Sequence, residues 1–278
     1  MVASTLFAVS LAHGRASAPA TGAQTQLTPL GNGACSAGPI LQHTATSANT
    51  FGTTTYLLGN EQLAWSGYIL MVTPLLVTHP LGVAYYAPWQ TWGIFNEDGA
   101  PMSVSLVFNV EVGDPSCGSF VHTATAANSR GDLTDLSNPL TDNHPQARVF
   151  VTPNWSAGGV LDPHPLEVAY DYGHWAIFHE DGAPMQAGAA YNVWAPPPGG
   201  VAVLVQHTAT AANTWDTNLT YLDEPSLQGY TVGTRLFVTQ VFGHSRDTGK
   251  SGHTSAIRAL GANKSSKDGC SDEIPGQT

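Results

Sequence analysis

Charge is scarce in this 278-residue chain: Asp, Glu, Lys and Arg together make up 10% of it, against about 25% in an ordinary globular protein. Lysine is nearly missing, with Lys250, Lys264 and Lys267 the only three, and 20 acids against 9 bases leave a net charge of −11. Nucleic-acid backbones are held by clustered Lys and Arg that displace counterions, so no nucleic-acid partner is expected. An anionic membrane surface is disfavoured for the same reason. No apolar run reaches the ~18 residues of a spanning helix, so no membrane span is expected. Nor does an apolar period of 3.6 residues persist over three turns, which argues against long amphipathic helices. Cysteine is limited to Cys35, Cys117 and Cys270. Their separations fit no zinc or redox pattern, and both one disulfide with a leftover thiol and isolated local roles stay open.

What is abundant points to strands and turns. Apolar residues make up 42%, with 29 Gly and 19 Pro, the profile of short strands joined by many turns under a hydroxyl- and amide-rich surface. Such a surface is common outside cells. The apolar stretch Thr5–Ala12 followed by Ala16-Ser17-Ala18 resembles a secretory signal with a small-residue cleavage site, although no Lys or Arg precedes it. A retained apolar strand is the alternative. The expected location is secreted or extracellular, including a cell-surface filament.

Internal repetition organises the chain. His43-Thr44-Ala45-Thr46-Ser47-Ala48-Asn49 returns as His122 to Asn128 and again as His207 to Asn213, at spacings of 79 and 85 residues. Each copy is followed by an apolar strand ending in a second marker: Met71-Val72-Thr73-Pro74, Phe150-Val151-Thr152-Pro153 and Phe237-Val238-Thr239-Gln240. The first two units then share His79-Pro80-Leu81 with His164-Pro165-Leu166, and Trp92-Gly93-Ile94-Phe95-Asn96-Glu97-Asp98-Gly99-Ala100-Pro101-Met102 with Trp175 to Met185. They close on Phe108-Asn109-Val110 and Tyr191-Asn192-Val193. Thr44-Ala45-Thr46 has a strand period; Ile69 to Val77 reads as a strand buried on both faces; Trp92 and Ile94 alternate as in a strand with one face in a core. Asp-Gly supplies a turn, so Trp92 to Val112 reads as a hairpin. Each unit of ~80 residues fits a small β-sandwich.

These boundaries predict an all-β chain of tandem β-sandwich repeats, two complete and one partial: an N-terminal segment over residues 1–34, repeat 1 over 35–113, repeat 2 over 114–196, a partial repeat 3 over 197–242, and an atypical tail over 243–278 that is a candidate to complete it. The Ala195-Pro196-Pro197-Pro198-Gly199-Gly200 linker favours stiff polyproline II, so the expected molecule is elongated. After Phe242 the pattern stops, and 243–278 contain no Trp, Tyr or Phe. The tail reads as a degenerate version of the missing strands, as a coding error, or as a true gap. A true gap invites strand addition. The apolar strand Ser4 to Ala12, with Leu6, Phe7, Val9 and Leu11, is then the donor, and head-to-tail contact gives a filament.

Candidate chemistry is sparse. His43, His122 and His207 lie on separate units, so a structural role is favoured over shared metal ligation, and no metal ligands are assigned. Glu97-Asp98 and Glu180-Asp181 read as turns rather than as a glycosidase pair or calcium ligands. The repeated Trp92 and Trp175 read as core. The unrepeated Trp89, Trp155 and Trp215 are the candidates for a glycan-stacking surface, with Tyr85, Tyr86, Tyr170 and Tyr172 as weaker ones. The segment Gly243 to Ser251 has one residue too many between its glycines for a phosphate loop, and no nucleophile elbow occurs. No catalytic residues and no cofactor are expected, and the chain is not expected to be an enzyme.

Taken together, the HTAT…N opening, the V-T-P strand, the W-x-I-F-N-x-D-x-x-P-M hairpin and the closing F-N-V resemble an uncharacterised repeat family of secreted bacterial proteins. The resemblance covers about residues 40–112, 119–194 and 203–242. It implies a secreted bacterial β-domain used in tandem and assigns no catalytic residues. The expected function is a secreted structural protein: a filament or surface-layer protomer whose partner is itself. The alternatives are an adhesin for extracellular glycans, and a hydrolase working through Glu97 and Glu180.

Overall fold

A computed structural model describes residues 40–75, 79–197, 203–215, 219–222, 224–227, 235–242 and 253–260. Over these residues the chain is almost entirely β, as its sequence predicts, with one four-residue helix, α1 (Trp155–Gly158). Unit 1 comprises β1 (Ile40–Thr44), β2 (Thr50–Phe51), β3 (Thr54–Tyr56), β4 (Ile69–Pro74), β5 (Leu81–Tyr86), β6 (Thr91–Asn96) and β7 (Val107–Gly113). Its inner sheet has the order β1-β7-β4 and its outer sheet β2-β3-β6-β5. Unit 2 repeats this with β8 (Ser119–Thr123), β9 (Ser129–Arg130), β10 (Leu133–Leu136), β11 (Phe150–Pro153), β12 (Leu166–Asp171), β13 (His174–His179) and β14 (Ala190–Trp194). Here β11-β14-β8 form the inner sheet and β9-β10-β13-β12 the outer one.

The expected hairpin from Trp92 to Val112 is not formed. β6 lies in the outer sheet and β7 in the inner one, so the Glu-Asp-Gly-Ala-Pro segment carries the chain across the sandwich. Met102 is buried under this crossing, and its amide bonds the carbonyl of Gly52. The expectation that β6 is covered on one face also fails, for all six of its residues are buried. Gly93 explains the second covered face: a Cβ there would sit 2.7 to 3.2 Å from Thr54, Tyr86 and Tyr56 side chains, so the missing side chain lets those groups lie on the sheet.

The HTAT…N motif is a strand-to-turn device used three times. The asparagine Oδ1 accepts from the amide of the second threonine at 2.7 Å in each copy, at Asn49, Asn128 and Asn213. Its Nδ2 donates back to the carbonyl of Thr44, Thr123 or Thr208. One short side chain thus satisfies both backbone partners of a tight turn. The histidine Nε2 lies 2.8 Å from a threonine hydroxyl of the facing strand: Thr55, Thr134 or Thr220.

Unit 3 contributes β15 (Val203–Thr208), β16 (Thr214–Trp215), β17 (Leu219–Thr220), β18 (Arg235–Phe242) and β19 (His253–Leu260). The order β15-β19-β18 reproduces the inner sheet of the other units, and β19 occupies the place of β7 and β14. The strand His253–Leu260 therefore stands where Phe-Asn-Val stands elsewhere. Of the outer sheet, only the β16–β17 hairpin is found among the described residues.

The three units are not held apart along a string, and the elongated arrangement gives way to mutual packing. Met71, Phe150 and Phe237, which are equivalent positions of β4, β11 and β18, belong to one buried cluster. On the other face of β4, Leu70 packs into unit 1's own core with Trp92, Ile94 and Phe108. A strand apolar on both faces needs cover on both, and the neighbouring units supply the second. Burying each such side chain contributes roughly 1.5–3 kcal/mol. The next residues tie the ring. The Val72 amide donates to Thr152 Oγ1 at 3.0 Å, Val151 to Thr239 Oγ1 at 3.3 Å, and Val238 to Thr73 Oγ1 at 3.2 Å. Each unit thus donates to the next and the third returns to the first. Asn109 Nδ2 reaches the Leu236 carbonyl, and Asn192 Nδ2 the Leu70 carbonyl. The matching residue of unit 3 is Ala256, opposite Thr239, which has no amide to offer.

Candidate functional site

The three units place different chemistry on one scaffold, and the differences locate the candidate sites. The first is the outer sheet of unit 1. Phe51 on β2, Tyr56 on β3, Tyr86 on β5 and Trp89 just beyond it form one group of rings. Tyr56 meets Trp89 at 4.5 Å and Tyr86 at 4.8 Å between centroids, and Phe51 meets Tyr56 at 6.0 Å. Phe51 is 55% exposed and Trp89 49%. The Tyr86 hydroxyl lies 3.2 Å from Thr54 Oγ1. Burial, with the neighbouring Tyr86 next in size, pushes the Tyr56 phenol up to about 12, and burial raises Tyr86 as well. Tyr56 is itself buried, so the half-buried Tyr86 carries the neutral hydroxyl nearer the surface.

In unit 2 the same positions are charged. The registers align Phe51 with Arg130, Tyr56 with Asp135 and Tyr86 with Asp171. There Arg130 pairs with Asp135 and, at 3.7 Å, with Asp171. Unit 3 carries Trp215 and Tyr221 at the places of Phe51 and Tyr56. Tyr221 is exposed, while the side chain of Trp215 lies outside the described residues. Trp155, the third candidate from the sequence, is exposed on α1; no ring contact among the described residues joins it to Trp89. Trp92 and Trp175 are buried core. Leu6, Phe7, Val9 and Leu11 lie outside the described residues.

The second site is the seam of units 1 and 2. Asp162 precedes β12, His164 is two residues on, and His179 ends β13. One ligand atom from each of the three lies within 4.8 Å of the others. His179 Nδ1 lies 2.8 Å from the Ala183 carbonyl and His164 Nδ1 2.8 Å from Asp181 Oδ2. Tyr191 donates to Asp162 Oδ2 at 2.5 Å. Burial first, then the Asp162 charge, holds the Tyr191 phenol far above its ordinary range. Glu97 reaches in from unit 1, its Oε2 accepting from the Asp162 amide at 3.0 Å. Gly82 admits it: a Cβ at that position would fall 1.9 Å from Glu97 Oε1. Burial raises the Glu97 carboxyl to about 7, against the Asp162 amide bond and with the Asp162 charge.

The sequence expectation treated Glu97-Asp98 and Glu180-Asp181 alike. Asp98 and Asp181 do serve the turn, accepting from the Ala100 and Ala183 amides. Glu97, however, is buried at the seam, whereas Glu180 is exposed. The trio escaped the sequence reading because His179 lies on a different strand from the Asp162–His164 segment. The signal was present as divergence between repeats: His179 replaces Asn96, Tyr191 replaces Phe108, and Asp162 aligns with Val77.

A third feature is a strand edge with no neighbour among the described residues. β5 meets Asn154, the residue after β11, in a parallel bridge at Val83, and β12 meets β18 in parallel at Val168 and Val241. By the same relation unit 3 would place a strand beside β4 near Leu75. Among the described residues none is there, and Leu75 is 57% exposed.

A family model described as a domain of unknown function (DUF7452) matches residues 82–195. The match starts in β5 and ends past β14, so it spans the seam rather than one repeat. No curated protein and no solved structure matches the chain.

Proposed function

We propose that the chain is a secreted, non-enzymatic adhesive protein that binds glycans on the aromatic face of unit 1. The observation supporting this is the position-by-position exchange of Arg130, Asp135 and Asp171 for Phe51, Tyr56 and Tyr86, with Trp89 added. A solvated sheet face has no need of exposed Phe and Trp. The C–H face of a sugar ring packs on such rings, and phenol hydroxyls bond its rim. The net charge of −11 favours neutral glycans over sulfated or sialylated ones. A glycan array probed with the full chain, followed by tryptophan-quenching titration of each hit, tests this. Trp89→Ala and Phe51→Ala are expected to weaken binding at least tenfold. A blank array, or unchanged binding by both variants, sinks the reading.

A second reading keeps the structural role. The edge of β4 that has no neighbour among the described residues, beside an outer sheet with only one described hairpin, supports strand addition from a second copy, with Leu6, Phe7, Val9 and Leu11 as the apolar donor positions. Such contact does not close and gives filaments. The chain enters its described part beside unit 3, where Arg235 donates to the Ile40 carbonyl at 2.9 Å, so self-completion competes with exchange. Electron microscopy and sedimentation of the full chain and of a version lacking residues 1–18 separate them. Filaments from the full chain alone support exchange, and monodisperse particles from both remove it.

A further inference from the structure

We infer that Asp162, His164 and His179 bind a single dication of the zinc class at the seam of units 1 and 2. The decisive atoms are His179 Nε2 and Asp162 Oδ1. They lie 3.0 Å apart, both fully enclosed, and neither makes a well-directed hydrogen bond to the other or to any other described group. With Nδ1 at bonding distance from the Ala183 carbonyl, Nδ1 carries a proton, and Nε2 is the ring atom left to face Asp162 Oδ1. Two such acceptors at 3.0 Å need a cation between them, either a proton, which makes an imidazolium–carboxylate pair, or a metal ion; the poor hydrogen-bond direction of the contact favours the ion.

The surroundings are those of ligands already oriented. His164 Nδ1 is held by Asp181, leaving Nε2 as the free ring nitrogen; Asp162 Oδ2 is held by Tyr191. Metal-binding imidazoles typically have the second nitrogen anchored on a carboxylate or carbonyl in this way. Two imidazoles and one carboxylate suit zinc and its neighbours, whereas calcium needs six to eight oxygens. A tetrahedral ion with bonds of about 2.0–2.1 Å sets ligand atoms roughly 3.3 Å apart. The His179–Asp162 pair at 3.0 Å is close to this, and His164, within 4.8 Å of both, closes on the ion by a small movement of its partly exposed ring. The fourth position falls to water, which reaches the site past His164, the only partly exposed member.

Unit 1 supplies the internal control. It keeps the outer pair of the arrangement, His79 Nδ1 at 2.7 Å from Asp98 Oδ2, but has Asn96 and Phe108 where unit 2 has His179 and Tyr191. The pair thus belongs to the scaffold, and the remaining groups are particular to unit 2. Glu97 of unit 1 grips the backbone of Asp162, so an ion bound there braces the seam as well.

The test uses the full chain, stripped with a chelator and titrated with Zn²⁺ by calorimetry and with Co²⁺ by visible absorption. His179→Asn, which installs the residue of unit 1, is compared with His174→Asn, whose ring pairs with Asp142 elsewhere on unit 2. The expected result is one equivalent bound by the native chain and by His174→Asn, and affinity reduced at least tenfold in His179→Asn. Zn²⁺ should raise the melting midpoint only where it binds. Should His179→Asn fail to fold, His164→Asn takes its place, since that ring is partly exposed. Absence of saturable binding, or equal affinity in the ligand variants, overturns the inference and leaves a proton as the shared cation.

Discussion

The outer sheets of units 1 and 2 share register, turn chemistry and buried tryptophans, yet one displays a cluster of rings and the other an Arg–Asp network beside the single exposed ring of Tyr172. Phe51, Tyr56 and Tyr86 face Arg130, Asp135 and Asp171 across the alignment. Inward positions are constrained by packing density, which tolerates few volumes. Outward positions are held by little, so what diverges there reports use rather than stability. The same logic applies at the seam, where the buried residues that differ are those gathered around Asp162.

The comparison can be broken most forcefully in the cores. Trp92→Ala and Trp175→Ala should each cost about 3–5 kcal/mol in denaturant unfolding. Costs differing by more than that range would show that the repeats are not equivalent inside. Acid sharpens the contrast next. His43 and His207 each face a carboxylate, Glu61 at 2.5 Å and Glu224 at 2.6 Å, but no carboxylate pairs with His122 among the described residues. Burial lowers His122 from 6.5 to about 4. Between those values the unfolded chain takes up a proton that the native one refuses. Stability from this group is therefore complete above pH 6.5 and declines by about 3 kcal/mol as pH falls to 4. Hydrogen exchange at pH 5 should show unit 2 loosening before unit 1.

A smaller effect tests the ring. Thr152→Val removes the acceptor of a partly buried amide and should cost about 1–3 kcal/mol. Thr73→Val should cost less, because the Val238 amide it serves is exposed. The reverse order in thermal melts would mean that the third contact closes the assembly. Smallest of all, Phe51→Ala and Arg130→Ala should each shift stability by under about 1 kcal/mol. Only the former is expected to abolish glycan retention.

Much of the fold is legible in the residues. Alternation and turn chemistry mark the strands, and the asparagine that ends each HTAT segment is the one that closes its turn. The crossing between sheets after Trp92 is not legible, because Asp-Gly suits a hairpin and a crossover equally. The packing of units is harder still: its bonds join residues 80, 88 and 165 apart. The hint lay in Ile69-Leu70-Met71, too apolar for a strand with one solvated face, but a linker rich in proline argued for separation. The aromatic face was glimpsed through Trp89 and, more weakly, Tyr86. Phe51 and Tyr56 escaped because they sit on β2 and β3, which only the fold brings into one sheet with β5.

The bond from Val238 to Thr73 also sets an order in time. It spans 165 residues, and closing so long a loop is entropically slow. As the chain leaves the ribosome, units 1 and 2 can dock first, with the Met71 and Phe150 face still uncovered until Phe237 arrives. During that interval the half-made ring offers the same surface to the third unit of a neighbouring chain as to its own, so exchange of partners stays open until the third contact forms.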